Sequence, residues 1–238
     1  MDIDAIKPTC VFQTDSPLVR YICTVMALPI LLAVLFTTYR CIKLSGRGKR
    51  FCRNNELSSY GKLVQTIFLG LSLVCLSSFQ CIANEGTNQT MAKYRSIRCW
   101  QSNHWAFVVI SVIATLVIVV PFVVIVIRAT VIYKSVLGIL DREGGVQWLK
   151  RYAFVFNRFT IDKPFYAACY LLRSLSIALC PVIFSQNAQA QLLAMSAILT
   201  FTLGLQAAKW PWRGRMANYL DIVFSCGQLM LLTGVAEV

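Results

Sequence analysis

The stretch WAFVVISVIATLVIVVPFVVIVIR, residues 105–128, carries no charged side chain until its last position. As a helix it would rise about 35 Å, slightly more than the roughly 30 Å of bilayer hydrocarbon. A soluble core helix of this length would show a polar stripe, and none is visible in the sequence. Because lipid admits only single helices or closed barrels as spanning forms, the stretch predicts a transmembrane helix.

The composition of the whole chain is typical of a membrane protein with several spans. The 238 residues are 57% hydrophobic and 14% charged, and the mean hydropathy is +0.63. A net charge of +13 would suit nucleic acid. The basic residues, however, cluster between the apolar runs, as the positive-inside rule expects of a membrane protein. We therefore predict a lipid bilayer and no nucleic acid as partner.

The apolar runs predict an all-α, polytopic membrane helix bundle of about six spans. An outside tail at residues 1–17 precedes a transmembrane bundle at residues 18–238. Its predicted spans are residues 18–39, 63–83, 105–128, 165–184, 192–207 and 218–235. Residues 146–159 mix aromatic and basic side chains, which favours one short amphipathic helix at the level of the lipid headgroups.

The charges of the linkers predict which side each one faces. Linkers 40–62, 128–164 and 208–217 are strongly basic and belong in the cytosol. The loop at residues 84–104 and both chain ends then lie outside, and that loop holds a sequon for glycosylation at Asn88. Both ends outside is unusual for a complete channel and favours a fragment of a longer protein.

Two of the ten cysteines predict a disulfide. Cys81 and Cys99 bracket the sequon loop on the oxidising side, and pairing them would contribute roughly 3 kcal/mol in the chain-entropy model. The sequence holds a single histidine, His104, and no CxxC or HExxH motif. We therefore predict no metal site.

Charge inside the predicted spans is the next signal. Arg173 lies nine residues beyond Pro164, and an unpaired arginine at this depth costs at least roughly 2.5 kcal/mol. Asp221 is the one acidic residue within a predicted span. Two interpretations remain open: an intramembrane ion pair of Arg173 with Asp221, or an Arg173 that reaches the cytosolic headgroups while Asp221 stays interfacial.

Catalysis has no support in the sequence. GxSxG, GxxxxGK[ST] and paired carboxylates within one span are all missing from it. We therefore expect no enzyme, no catalytic residue and no cofactor. Polar residues inside the spans, such as Gln65, Gln206 and Gln228, line a path or hydrogen-bond between helices, and the second role is the commoner one.

Two stretches resemble the carboxy-terminal TRP-like transmembrane module of large protist (alveolate-type) surface proteins, whose members are mostly uncharacterised. The resembling positions are FQCI at residues 79–82, IRCW at residues 97–100 before His104, the mid-span Arg173, then Gln191, Leu205-Gln206, Trp210-Pro211-Trp212, Asn218 and Asp221. The similarity spans roughly residues 10–235. Two features depart from it: the acidic residue before the mid-span arginine is missing, and R-P-Y is replaced by Trp210-Pro211-Trp212.

The resemblance implies a channel, transport or sensory role in the plasma membrane or an endomembrane, with an organellar membrane as the alternative. The link at residues 208–217 is too short for a pore helix and filter, so a re-entrant pore there is excluded. The alternative function is a non-catalytic structural or anchoring subunit. The chain would then act as a homo-oligomer or within a larger membrane complex.

Overall fold

The computed structural model describes residues 16–44, 53–84, 89–138 and 143–236, and the chain is mostly helical over these ranges. In chain order the longer helices are α1 (Pro17–Leu44), α2 (Arg53–Leu76), α3 (Ser102–Ala114) and α4 (Val120–Leu137). Two short helices, α5 (Glu143–Arg151) and α6 (Ala153–Phe156), precede α7 (Tyr166–Ile183), α8 (Ala188–Lys209) and α9 (Arg215–Ala236). Strands β1 (Cys81–Ala83) and β2 (Gln89–Met91) form an antiparallel pair between α2 and α3.

Four helices are long and apolar enough to cross a membrane: Leu57–Phe79, Ser102–Leu137, Tyr166–Ile183 and Ala188–Lys209. A fifth span results if Pro17–Ala27 and Pro29–Thr38, bent by 42°, count as one. The described residues therefore indicate a membrane protein, but the predicted count of about six spans is not confirmed. Helix α9 forms where the sequence predicts the sixth span, but it contains several polar residues. It is not among the four helices that are apolar enough to span.

The helix built on residues 105–128 is longer than the sequence predicts. It continues over Ser102–Leu137, 36 residues, which is about 54 Å and exceeds the bilayer core. A π-helical turn at Thr115–Val119 joins α3 to α4 just before Pro121. This widened turn lies where the proline has no N–H to donate and its ring would crowd the preceding carbonyl.

Helix α2 lies at the centre of the bundle and packs against α1, α3, α5, α6 and α7. The Phe68 ring lies 5.6 Å from the Phe122 ring, which in turn stacks on Phe154 at 6.1 Å. Gly61 permits this approach, since a Cβ atom there would lie 2.4 Å from Cδ1 of Phe154. The close packing of α2 against Phe154 therefore requires glycine at position 61.

The predicted interfacial helix is replaced by two short helices. α5 and α6 meet at Tyr152, and the side chains of Phe154, Val155 and Phe156 are buried. Phe156 stacks on Tyr133 with ring centroids 4.2 Å apart. One straight helix at the headgroups would leave these consecutive apolar residues on different faces, whereas a break after α5 lets all three enter the core.

The connections between helices gather at two ends of the bundle. At one end, the Gln186 side chain in the α7–α8 turn donates to the Cys81 carbonyl (2.9 Å) and accepts from the Ala83 N–H (3.2 Å). At the other end, residues 158–160, which precede α7, pair with residues 211–213 in the α8–α9 turn. This separation agrees with the predicted alternation of the linkers, and which end faces the cytosol stays a prediction.

Candidate functional site

Arg173 crosses from α7 to α9. Its Nη2 donates to Gln228 Oε1 at 3.1 Å and to Ser225 Oγ at 3.4 Å. Ser225 and Gln228 are three residues apart on α9, so one helical face presents both acceptors. Both are uncharged, and no described carboxylate forms an ion pair with this guanidinium.

Asp221 has a different partner. Its Oδ2 accepts a hydrogen bond of 2.7 Å from the indole Nε1–H of Trp212 in the α8–α9 turn. Of the two interpretations that the sequence left open, the ion pair of Arg173 with Asp221 is therefore not formed in the structure. Asp221 lies one turn before Ser225, about 6 Å nearer the start of α9, where Trp212 reaches it and Arg173 binds further along.

A small cleft adjoins Arg173 between α7 and α8. The empty space in and in front of it is about 230 Å³, and this figure includes the open surroundings. Its lining combines the guanidinium with hydroxyl groups and apolar surface: Tyr166, Cys169, Tyr170, Arg173, Thr202 and Leu205. The cleft as it stands admits a water-sized group, which can approach a positive charge within a spanning helix.

Gln206 follows this lining on α8 and is fully buried, yet neither its Oε1 nor its Nε2 has a hydrogen-bond partner. Gln65 on α2 likewise leaves a buried Oε1 unpaired. A buried unpaired amide group costs about 1–3 kcal/mol, so a water or a polar ligand that hydrogen-bonded to it would be stabilising. The two glutamines are among the intramembrane polar residues that the sequence indicated. Arg173, its α9 partners, the cleft and Gln206 are called the α7–α9 seam below.

A second polar cluster lies at the end of the bundle with the β-hairpin. The Tyr21 hydroxyl on α1 hydrogen-bonds to Ser111 on α3, and Ser111 also accepts from Ser78. His104 Nε2 lies 2.9 Å from the Ser78 carbonyl, and Nδ1 accepts from the Trp100 N–H at 3.3 Å. With Nδ1 accepting, Nε2 carries the proton and donates. The cluster joins α1, α3 and the segment that follows α2, and the sequence did not reveal it because serines and a lone histidine form no recognisable pattern.

The predicted disulfide of Cys81 and Cys99 is present and closes the hairpin region. The two sulfur atoms and a ring nitrogen of His104 lie within 4.8 Å of one another, the spacing of metal ligands. Because the disulfide engages both sulfurs and both His104 nitrogens have hydrogen-bond partners, the oxidised arrangement serves as a structural cross-link.

The α8–α9 turn contains a network that the sequence analysis missed. The Asn218 side chain accepts from the Trp212 N–H at 3.0 Å and donates to the carbonyls of Trp212 (2.9 Å) and Gly214 (3.2 Å). The signal in the sequence was an asparagine and an aspartate in the first turns of a span, directly after a Trp-Pro-Trp turn. Asn88, the predicted glycosylation site, lies outside the described residues.

The fold defines the class as a helical, membrane-associated bundle with a polar seam. Comparison of the chain with protein-family models, with curated proteins and with solved structures gives no match. The resemblance to the TRP-like module therefore remains a hypothesis that depends on the residues quoted for it.

Proposed function

We propose that the chain is an integral membrane module with a channel, transport or sensory role, without a catalytic site, and that the α7–α9 seam carries this role. The observation that supports it is Arg173, a positive charge in a helix apolar enough to span, held by two neutral acceptors. Ionisable residues inside membrane segments usually face a pathway or a functional partner.

The seam offers a physical mechanism. A guanidinium in a low-dielectric setting attracts an anion more strongly than in water. The adjoining cleft admits a water-sized group, so a small anion would reach Arg173 from this side once the helices move slightly apart. Because Ser225 and Gln228 contact Arg173 through hydrogen bonds, an anion that drew the guanidinium away would loosen α9 from α7. The same movement would serve passage of a solute or a change of shape in response to it.

Ion flux through reconstituted liposomes tests the proposal. We expect the full chain to conduct chloride above protein-free liposomes, and Arg173→Gln to lower this flux by about tenfold or more, since the seam loses its charge. Arg20→Gln is the matched control, because Arg20 is an exposed arginine at the start of α1. If liposomes with folded protein pass neither anions nor cations, the transport role is contradicted. If the Arg173→Gln and Arg20→Gln variants give equal flux, Arg173 has no part in transport.

A second candidate is a non-catalytic structural or anchoring subunit of a larger membrane complex. The observation that favours it is the large apolar side chains exposed along α8 and α9: Leu193, Phe201, Val223, Phe224, Met230 and Leu231. Lipid tails or neighbouring subunits would equally cover such a surface. Mild detergent extraction separates the candidates, since a structural subunit leaves the membrane with unrelated chains attached, whereas a self-sufficient transporter leaves alone or as a homo-oligomer.

A further inference from the structure

Two distant stretches of sequence form one surface at the end of the bundle opposite the hairpin. The Arg213 N–H donates to the Arg158 carbonyl at 3.0 Å, and the Thr160 N–H donates to the Pro211 carbonyl at 2.9 Å. Phe159 and Trp212 are bridge partners between these bonds. We call this surface the basic turn surface and define it by Arg158, Lys163, Lys209, Arg213 and Arg215.

The backbone pairing brings two arginines side by side. Alternate residues of a paired segment point to opposite faces. Phe159 is buried and its ring lies 5.0 Å from that of Trp212, whereas Arg158 and Arg213 are exposed. The two arginines are therefore direct cross-strand neighbours on the outer face.

This arrangement leaves an excess of positive charge. Like charges placed directly opposite in a strand pair repel each other, and neither arginine forms an ion pair with a described carboxylate. The Lys163 ammonium group also lies here, where it donates to the Lys209 carbonyl at the end of α8. Residues 158–163 and 209–215 together hold five basic side chains and one acidic side chain, Asp162. An external anion would relieve this repulsion.

The surface also lies where lipid headgroups are expected. It is at the ends of Tyr166–Ile183 and Ala188–Lys209, both apolar enough to cross a membrane. Trp210 adopts a left-handed backbone conformation with φ 47°, which is uncommon for a bulky residue. Its ring meets Tyr219 edge-on at 5.1 Å and stays 40% exposed. Tryptophan and tyrosine at the end of a span favour the membrane interface.

We propose that the basic turn surface binds the phosphate of an anionic phospholipid, with Arg158 and Arg213 sharing the phosphate oxygens. Planar guanidinium groups match phosphate geometry and donate two parallel hydrogen bonds. Lys209 and Arg215 add charge around the headgroup, while Trp210 and Tyr219 lie beside its glycerol region. This end of the bundle is predicted to face the cytosol, and the cytosolic leaflet is the one that carries anionic lipid.

Lipid retention by the full chain in neutral detergent tests the proposal by native mass spectrometry. We expect dioleoyl phosphatidic acid to be retained in preference to dioleoyl phosphatidylcholine. In the double variant R158Q/R213Q, retention of phosphatidic acid should weaken by about 30-fold. This factor corresponds to the loss of two basic residues that each contribute about 1 kcal/mol of attraction to an anionic headgroup. The matched control K93Q/R95Q removes two exposed charges at the hairpin end and should leave retention unchanged.

The outcomes separate lipid from other anions. Equal retention of phosphatidic acid by R158Q/R213Q and the parent chain would overturn the site, as would equal loss in the K93Q/R95Q control. If inorganic phosphate displaces phosphatidic acid completely where sodium chloride of equal ionic strength does not, the acyl chains contribute nothing and a lipid ligand is rejected. Salt provides a second measurement on the unaltered chain: retention should fall steeply as ionic strength rises, and salt-independent retention would contradict an electrostatic site.

Discussion

At the scale of single residues, Asn218 has the clearest structural role in the described part of the chain. Its side chain is 3% exposed and makes three hydrogen bonds to the backbone of the α8–α9 turn. This turn lets the Trp212 indole donate a hydrogen bond to Asp221 and pairs the Trp212 backbone with that of Phe159. One amide therefore fixes both the start of α9 and the contact between the turn and the segment before α7.

Replacing Asn218 with alanine should lower the free energy of unfolding by about 2–3 kcal/mol, since three hydrogen bonds between its buried side chain and the partly buried backbone of the turn are lost. The matched control is Thr233→Ala on the same helix, whose exposed hydroxyl bonds only to carbonyls of its own helix. Its cost should stay within about 0.5 kcal/mol. Thermal unfolding in detergent, followed by circular dichroism, measures both, and similar costs would show that the turn does not depend on the Asn218 amide.

At the scale of elements, composition and periodicity predict which segments are helical, but not which side chains of different helices contact one another. The apolar runs correctly indicated helices α2, α3–α4, α7 and α8, because length and hydropathy are local properties. The partners of Arg173 could not be predicted this way. They depend on the rotation of α9, which places Ser225 and Gln228 toward Arg173 and leaves Asp221 to Trp212.

The disulfide shows the opposite case. Cys81 and Cys99 lie in one short loop, so proximity in sequence was enough to predict their pairing. The pairing of residues 158–160 with 211–213 joins segments about 50 residues apart and has no comparable local signal. Long-range contacts that depend on backbone pairing are thus the part of the site that sequence reasoning missed.

The approach of α2 to α6 gives a prediction for this scale. Gly61→Ala should destabilise the chain by about 1–3 kcal/mol, because its new Cβ would overlap the Phe154 ring. Gly70→Ala on the same helix is the matched control: a Cβ added there would meet no other atom within 4 Å, and alanine should stabilise the helix by up to about 1 kcal/mol. Equal shifts in melting temperature for the two variants would contradict close packing at Gly61.

At the scale of the whole molecule, the two ends of the bundle differ in chemistry. The hairpin end holds the disulfide and the Gln186 contact with β1, while the opposite end holds the basic turn surface. The chain thus separates a cross-linked end, suited to an oxidising compartment, from a positively charged end, suited to the cytosolic leaflet. The helices between them are long enough to keep the two ends on opposite sides of a bilayer.

Cysteine labelling in sealed vesicles tests this sidedness. Lys93→Cys and Ile161→Cys replace exposed residues at the hairpin end and at the basic end. The background has serine at Cys41 and Cys226, which are both exposed, and at Cys10 and Cys52, which lie outside the described residues. A membrane-impermeant maleimide should label position 93 from outside and position 161 only after the vesicles are opened, because the intervening helices cross the hydrocarbon. The reverse pattern would invert the orientation and leave the fold intact. Labelling of both positions from one side would contradict the bundle itself, since the spanning helices would then fail to separate its ends.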